Sequence, residues 1–155
     1  MTFPPTLIVA LVGAIPELEM GGSIPLGKAL HMSVYSAFFW SLISITLGTI
    51  IVFRLLDKII AFLFKYFPKL HKLVDHHFQK IHTKHTKNFQ RWGLGFLIIL
   101  RILPIPGTGS YTMVALAYLL ELPYWPSIFA IFISNLIYGL ILSQIIIGAI
   151  TFIHF

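Results

Sequence analysis

Apolar residues fall into four blocks along this chain, and two of the blocks are interrupted halfway. Thr6 to Ile15 is an apolar limb that runs into PELEMGGSIPLG, from Pro16 to Gly27. After Trp92, GLGFLIIL runs into RILPIPGTGSYT, from Arg101 to Thr112, and MVALAYLL then leads out to Glu121. A ten-residue limb reaches about 15 Å as helix, whereas crossing a hydrocarbon core of about 30 Å takes about 20 residues. The other two blocks are long enough. Met32 to Phe53 holds no charged residue, and Leu122 to Phe155 is apolar apart from groups such as Ser134, Asn135, Gly139, Ser143 and Gln144.

The order of broken limb followed by full-length limb occurs twice. It predicts an all-α integral membrane protein: an inverted repeat of a re-entrant helical hairpin plus a transmembrane helix, with a basic cytoplasmic linker. The predicted single membrane domain spans residues 1–155, with a first half at 4–64, the linker at 65–91 and a second half at 92–155. A continuous Thr6–Leu30 helix with a distorted middle is the competing reading of the first hairpin. Pro16 with Pro104, and Gly21 with Gly109, align at an offset of 88; residue identity is otherwise faint, so the repeat rests on the order of elements. Beyond Phe53 the sequence RLLDKIIAFLFKYF continues the helix through the interface, and Pro68 ends it. Leu70, Leu73, Val74, Phe78 and Ile81 recur every three or four residues, which predicts a short amphipathic helix on the membrane surface.

Composition agrees with a membrane location: 57% of the 155 residues are hydrophobic and 10% charged, against about 25% charged in soluble domains. Cysteine is absent, which excludes disulfides and thiolate chemistry. No cleavable signal peptide is evident. The charge is localised. Lys65 to Arg91 holds seven Lys/Arg residues and one acid, Asp75, so this segment alone carries the whole chain's net +6. A basic block between two apolar halves follows the positive-inside rule and places the linker in the cytoplasm, with both termini outside. It argues against a nucleic-acid partner and favours contact with anionic lipid headgroups. The linker histidines match no compact ligand motif, and neither a metal nor a cofactor is expected.

The breaks concentrate the chemistry. Gly21, Gly22, Ser23, Pro25 and Gly27 interrupt the first hairpin; Pro104, Pro106, Gly107 and Gly109 interrupt the second. Thr108, Ser110 and Thr112 supply hydroxyls. Unwound backbone in a membrane must be buried in protein or line a wet cavity, and paired broken segments point to a transport site. Glu17 and Glu19 are the only acids before Asp57, and Arg101 is the only Lys/Arg beyond the linker. The simplest arrangement sets Arg101 beside Glu17 or Glu19 between the facing hairpins. One carboxylate then exchanges a proton while the other holds Arg101, or Arg101 itself meets a phosphate. A buried structural ion pair and plain interfacial turns are the alternatives.

GAIPELEMGGSIPLG and RILPIPGTGSYTMVALA together resemble the small multi-drug export protein family, a distant branch of the DedA/VTT (SNARE-associated) membrane superfamily. The resemblance covers nearly the whole chain and implies two opposed re-entrant hairpins. The acidic motif corresponds to Glu17 and Glu19, the small-residue turn to Gly21, Gly22, Pro25 and Gly27, and the basic motif to Arg101, Pro104, Pro106, Gly107 and Gly109. Many members carry an arginine directly after the acidic pair, where this chain has Met20.

The leading functional expectation is a plasma-membrane, multi-pass, proton-coupled transporter of an anionic lipid or polyprenyl-phosphate carrier, not an enzyme. A small-molecule or multidrug exporter of amphipathic substrates and a non-transporting membrane scaffold are the two alternatives. The expected partners are membrane lipids, the transported substrate and protons. Two full crossings enclose little space, which points to a homodimer.

Overall fold

The computed structural model describes residues 3–16, 18–66, 87–103 and 108–153. Among them are six helices: α1 Pro5–Gly13, α2 Glu19–Ala29, α3 Val34–Tyr66, α4 Lys87–Ile102, α5 Ser110–Leu119 and α6 Tyr124–Ile153. No strand occurs among the described residues. The amphipathic segment predicted in the linker, Pro68 and the linker histidines lie outside them. So do Glu17, Pro104, Pro106 and Gly107.

α1 begins with Pro5 in its first turn, where the missing N–H costs nothing. It stops before Pro16, whose ring disfavours helical backbone at Ile15. The first break is shorter than expected, since α1 ends at Gly13 and α2 already begins at Glu19. Gly21, Gly22, Pro25 and Gly27 stand inside α2 rather than in unwound chain. Close packing explains why glycine suits a helix there: a Cβ on Gly27 would lie 2.5 Å from the Ala37 Cβ. Pro25 is exposed and deprives only the Gly21 carbonyl of its helical donor. In the second half, α4 includes Arg101 and Ile102, while Ser110, Tyr111 and Thr112 already form the first turn of α5.

α2 and α5 end alike. His31 (φ 62°) and Glu121 (φ 50°) adopt left-handed backbone. His31 N–H donates to Lys28 and Met32 N–H to Gly27; ninety residues on, Glu121 N–H donates to Tyr118 and Leu122 N–H to Ala117. This is the Schellman closure executed twice in one register. The long helices follow in the same register, with Ala37 N–H on the Ser33 carbonyl and Ser127 N–H on the Pro123 carbonyl, each at 3.0 Å.

α3 and α6 are the two helices long and apolar enough to cross a membrane, over Val34–Leu56 and Tyr124–Phe152. Only 33% of each apolar window is buried within the protein. Phe39, Leu47, Ile51, Phe129, Ile141 and Ile145 are among the large side chains left outward, as expected of helices solvated by lipid rather than of a soluble core. The two helices run antiparallel. Tyr124 at the start of α6 donates to the Ile50 carbonyl at 3.2 Å, and Gln144 near its other end donates to Tyr35 at 3.0 Å.

Two apolar cores flank the centre. Val9, Met20, Ile24, Ala37, Leu42 and Ile45 join α1 and α2 to the first part of α3. Phe53, Leu97, Met113, Val114, Ile128 and Ile131 join α4 and α5 to the far part of α3 and the start of α6. Small residues permit the closest approaches, as in membrane bundles: Gly13 sits over Ser41, and a Cβ on Gly139 would lie 2.7 Å from the Met20 sulfur.

Candidate functional site

Most hydroxyls in the long helices are satisfied locally. Ser41, Thr46, Ser127, Ser134, Ser143 and Thr151 each donate to a carbonyl three or four residues back, the usual way a helix accommodates Ser or Thr in lipid. Ser41 also meets Ser23 of α2, and Ser44 donates to the Ala10 carbonyl of α1, but a buried, charged group of side chains links helices where the two breaks meet the middle of α6.

Its centre is Glu19, the first residue of α2. Glu19 Oε2 accepts a 2.8 Å hydrogen bond from Arg101 Nη2 at the end of α4. Glu19 Oε1 accepts a 2.7 Å bond from the Ser110 backbone N–H, the first of α5. Both charged residues are 5% exposed. The charges also suit the helix ends they occupy, a carboxylate at an N-terminus and a guanidinium in a last turn. Gly109 caps α5 without a side chain of its own, and Glu19 supplies the cap from the other half of the chain. A Cβ on Gly109 would stand 2.8 Å from Glu19 Oε1, so glycine is what lets the carboxylate reach the helix.

Asn135 and Tyr138 complete the group from α6. Arg101 Nε donates to Asn135 Oδ1 at 2.9 Å, and the guanidinium carbon lies 4.2 Å from the Tyr138 ring centre, within cation–π range. Ser110 Oγ is 2.9 Å from Asn135 Oδ1 and 3.2 Å from Glu19 Oε2; its single proton serves one acceptor at a time. Because Arg101 Nε can only donate, the Asn135 oxygen must face it. The Asn135 amide nitrogen is then left buried without a hydrogen-bond partner among the described residues.

A second link joins the same two breaks. Tyr111 Oη, one residue into α5, donates at 2.7 Å to the carbonyl of Ala14, the cap of α1. Gly48 on α3 leaves room for that hydroxyl. The start of α5 thus holds the end of α1 through Tyr111 and the start of α2 through Ser110.

Of the residues expected to form the site, Glu19, Arg101, Ser110 and Gly109 come together. Thr108 is half-buried, its hydroxyl 3.4 Å from the Leu103 carbonyl. Thr112 is exposed on α5, and Pro16 lies in the turn after α1. Asn135 stands out in the sequence only as a polar group in an apolar block, and Tyr138 and Tyr111 are not singled out by it. Asn135 did carry a signal, being an amide midway along an otherwise apolar crossing with Tyr138 three residues on.

Fold and site define a helical membrane protein with a buried, charged centre assembled from both halves. The sequence model of the small multi-drug export protein family matches residues 19–141, and the chain belongs to this family. The matched span begins at Glu19 and includes Arg101, Ser110, Asn135 and Tyr138. No curated protein and no solved structure matches the chain. The family description is that of an export protein rather than an enzyme.

Proposed function

We propose that this protein is a membrane exporter of small amphipathic molecules, with the Glu19–Arg101–Ser110–Asn135 cluster as its substrate-handling centre. The observation that carries the reading is the 2.8 Å ion pair between Glu19 and Arg101, buried where both helix breaks meet, in a chain of an export family. A charged pair withdrawn from solvent costs more desolvation than an apolar pair of the same size, and ionisable groups at membrane depth mark transport pathways. The short α1–α2 and α4–α5 pairs act in this reading as opposed re-entrant hairpins beside the crossings α3 and α6. The repeated turns and antiparallel long helices support an inverted repeat, the common plan of secondary transporters.

Proton coupling through Glu19, a cytoplasmic linker, a plasma-membrane location, a homodimer and kinship with the DedA/VTT superfamily belong to the same proposal. The anionic-lipid or polyprenyl-phosphate carrier is the second reading, favoured by the planar donor fork of Arg101. The test is efflux from proteoliposomes, with and without a pH gradient, of a cationic dye, an anionic dye and a labelled polyprenyl-phosphate. Dye export lost in a folded Arg101→Gln variant supports the exporter. Movement of the polyprenyl-phosphate alone transfers support to the lipid carrier. Partner binding without movement of any probe leaves a scaffold.

A further inference from the structure

The Glu19 carboxylate occupies a receptor built entirely by other elements. Arg101 comes from α4, the Ser110 N–H and hydroxyl from α5, and Asn135 from α6, while the carboxylate comes from the opposite half of the chain. We propose that this receptor is a carboxylate seat, that Glu19 is its tethered resident, and that a small monocarboxylate displaces Glu19 to bind there. The proposal rests on the exporter reading and deepens it by naming the substrate class.

Four observations converge on a replaceable occupant. Glu19 is held at φ 33°, a left-handed conformation unfavourable for a residue with a side chain, the kind of backbone strain that gathers at functional positions. Gly109 keeps the space over the first N–H of α5 clear, a space that a Cβ would close to 2.8 Å from Glu19 Oε1. The buried guanidinium keeps Asn135 Oδ1 and the Tyr138 ring when Glu19 withdraws, so it stays positioned and needs a new anion. Finally, the Asn135 amide nitrogen, in a residue 0% exposed, has no hydrogen-bond partner among the described residues and is a donor that Glu19 leaves unused. A free carboxylate, not tethered to α2, can turn an oxygen towards it, whereas a structural ion pair gives no reason to bury it. The donor set fits a planar monoanion: a helix N–H, a hydroxyl and a guanidinium, in surroundings that exclude water.

The seat predicts that removing an acid strengthens the binding of an acid. In Glu19→Gln the amide oxygen still accepts from Ser110, but an NH2 faces Arg101, so self-occupancy weakens. Radiolabelled benzoate binding to protein in nanodiscs should tighten about tenfold or more over wild type, because the competing resident no longer withholds the binding-competent state. Neutral benzamide should not follow. Adding Gly109→Ala to Glu19→Gln should abolish the gain, since the new Cβ fills the space of the carboxylate. If Glu19→Gln does not fold, Glu19→Asp withdraws the acid from Ser110 and should shift benzoate binding in the same direction.

A folded Glu19→Gln protein that binds benzoate no better than wild type overturns the proposal. So does an equal gain for benzamide, which would mean an apolar cavity. Export is assayed in parallel with a cationic and an anionic dye. Dye export that depends on Arg101 alongside unchanged benzoate binding sinks the seat and spares the exporter. A tenfold gain with no probe exported sinks the exporter and leaves the seat.

Discussion

The Glu19–Arg101 pair makes a quantitative prediction about stability that separates its structural role from any transport role. Arg101→Met removes a guanidinium that is 5% exposed and leaves Glu19, equally buried, without its counter-charge. Breaking a buried pair on one side costs about 3–5 kcal/mol. Glu19 keeps its bonds to the Ser110 N–H and hydroxyl, and methionine packs acceptably on the Tyr138 ring, so the loss should sit near the lower figure, about 3 kcal/mol. At about 2–4 °C per kcal/mol for a chain of this size, the melting temperature should fall by about 6–12 °C. In the double variant Arg101→Met with Glu19→Gln no charge is left buried, and the neutral amide still caps α5. Most of the loss should return, because exchanging a whole buried pair for uncharged groups is close to neutral. The assay is thermal unfolding in one detergent, followed by tryptophan fluorescence and size exclusion, for wild type, both single variants and the double. Losses that simply add, or an Arg101→Met shift below about 2 °C, would refute the account of a desolvated, mutually dependent pair. Export that stays absent in the re-stabilised double variant assigns the charges to function.

Three further outcomes follow from the packing and the charge pattern. Tyr111→Phe removes the 2.7 Å bond to the Ala14 carbonyl and should cost about 1 kcal/mol, seen as faster amide exchange at the end of α1 with α6 unaffected. Gly139→Ala places a Cβ against the Phe38 ring and 2.7 Å from the Met20 sulfur, and overpacking of this kind should destabilise by about 1–3 kcal/mol, whereas Gly148→Ala, where nothing lies within 4 Å, should melt no lower than wild type because alanine is the better helix former. Because the chain has no native cysteine, Lys80→Cys gives a single-label probe of orientation; an impermeant maleimide should react with it from the cytoplasmic face only, and labelling from outside would reverse the topology.

Much of the architecture is legible in the order of residues. The lengths of the apolar blocks set the two long helices and the two short pairs, since the number of residues fixes how far a helix reaches. Prolines and lone charges locate the breaks, and Arg101 stands out as the one Lys/Arg residue of the second half. Local sequence was less informative about the first break, because a Gly- and Pro-rich string reads as unwound chain. The helix nonetheless runs through Gly21, Gly22, Pro25 and Gly27, and at Gly27 it is the close approach of Ala37 and Val9, distant in sequence, that calls for a glycine.

What the sequence by itself determined is that this is a helical membrane protein whose basic charge gathers in one linker, with Glu17, Glu19 and Arg101 standing at the breaks of its apolar blocks. Which charge meets which was decided by the tertiary structure. Glu19 and Arg101 are 82 residues apart, and no periodicity relates them; they meet because α2 starts, α4 ends and α5 starts beside the middle of α6. Asn135 and Tyr138 join the pair for the same reason. A helix period assigns a residue to a face, but a hydrogen bond requires two atoms within about 3 Å, and only the packing of the helices sets that distance.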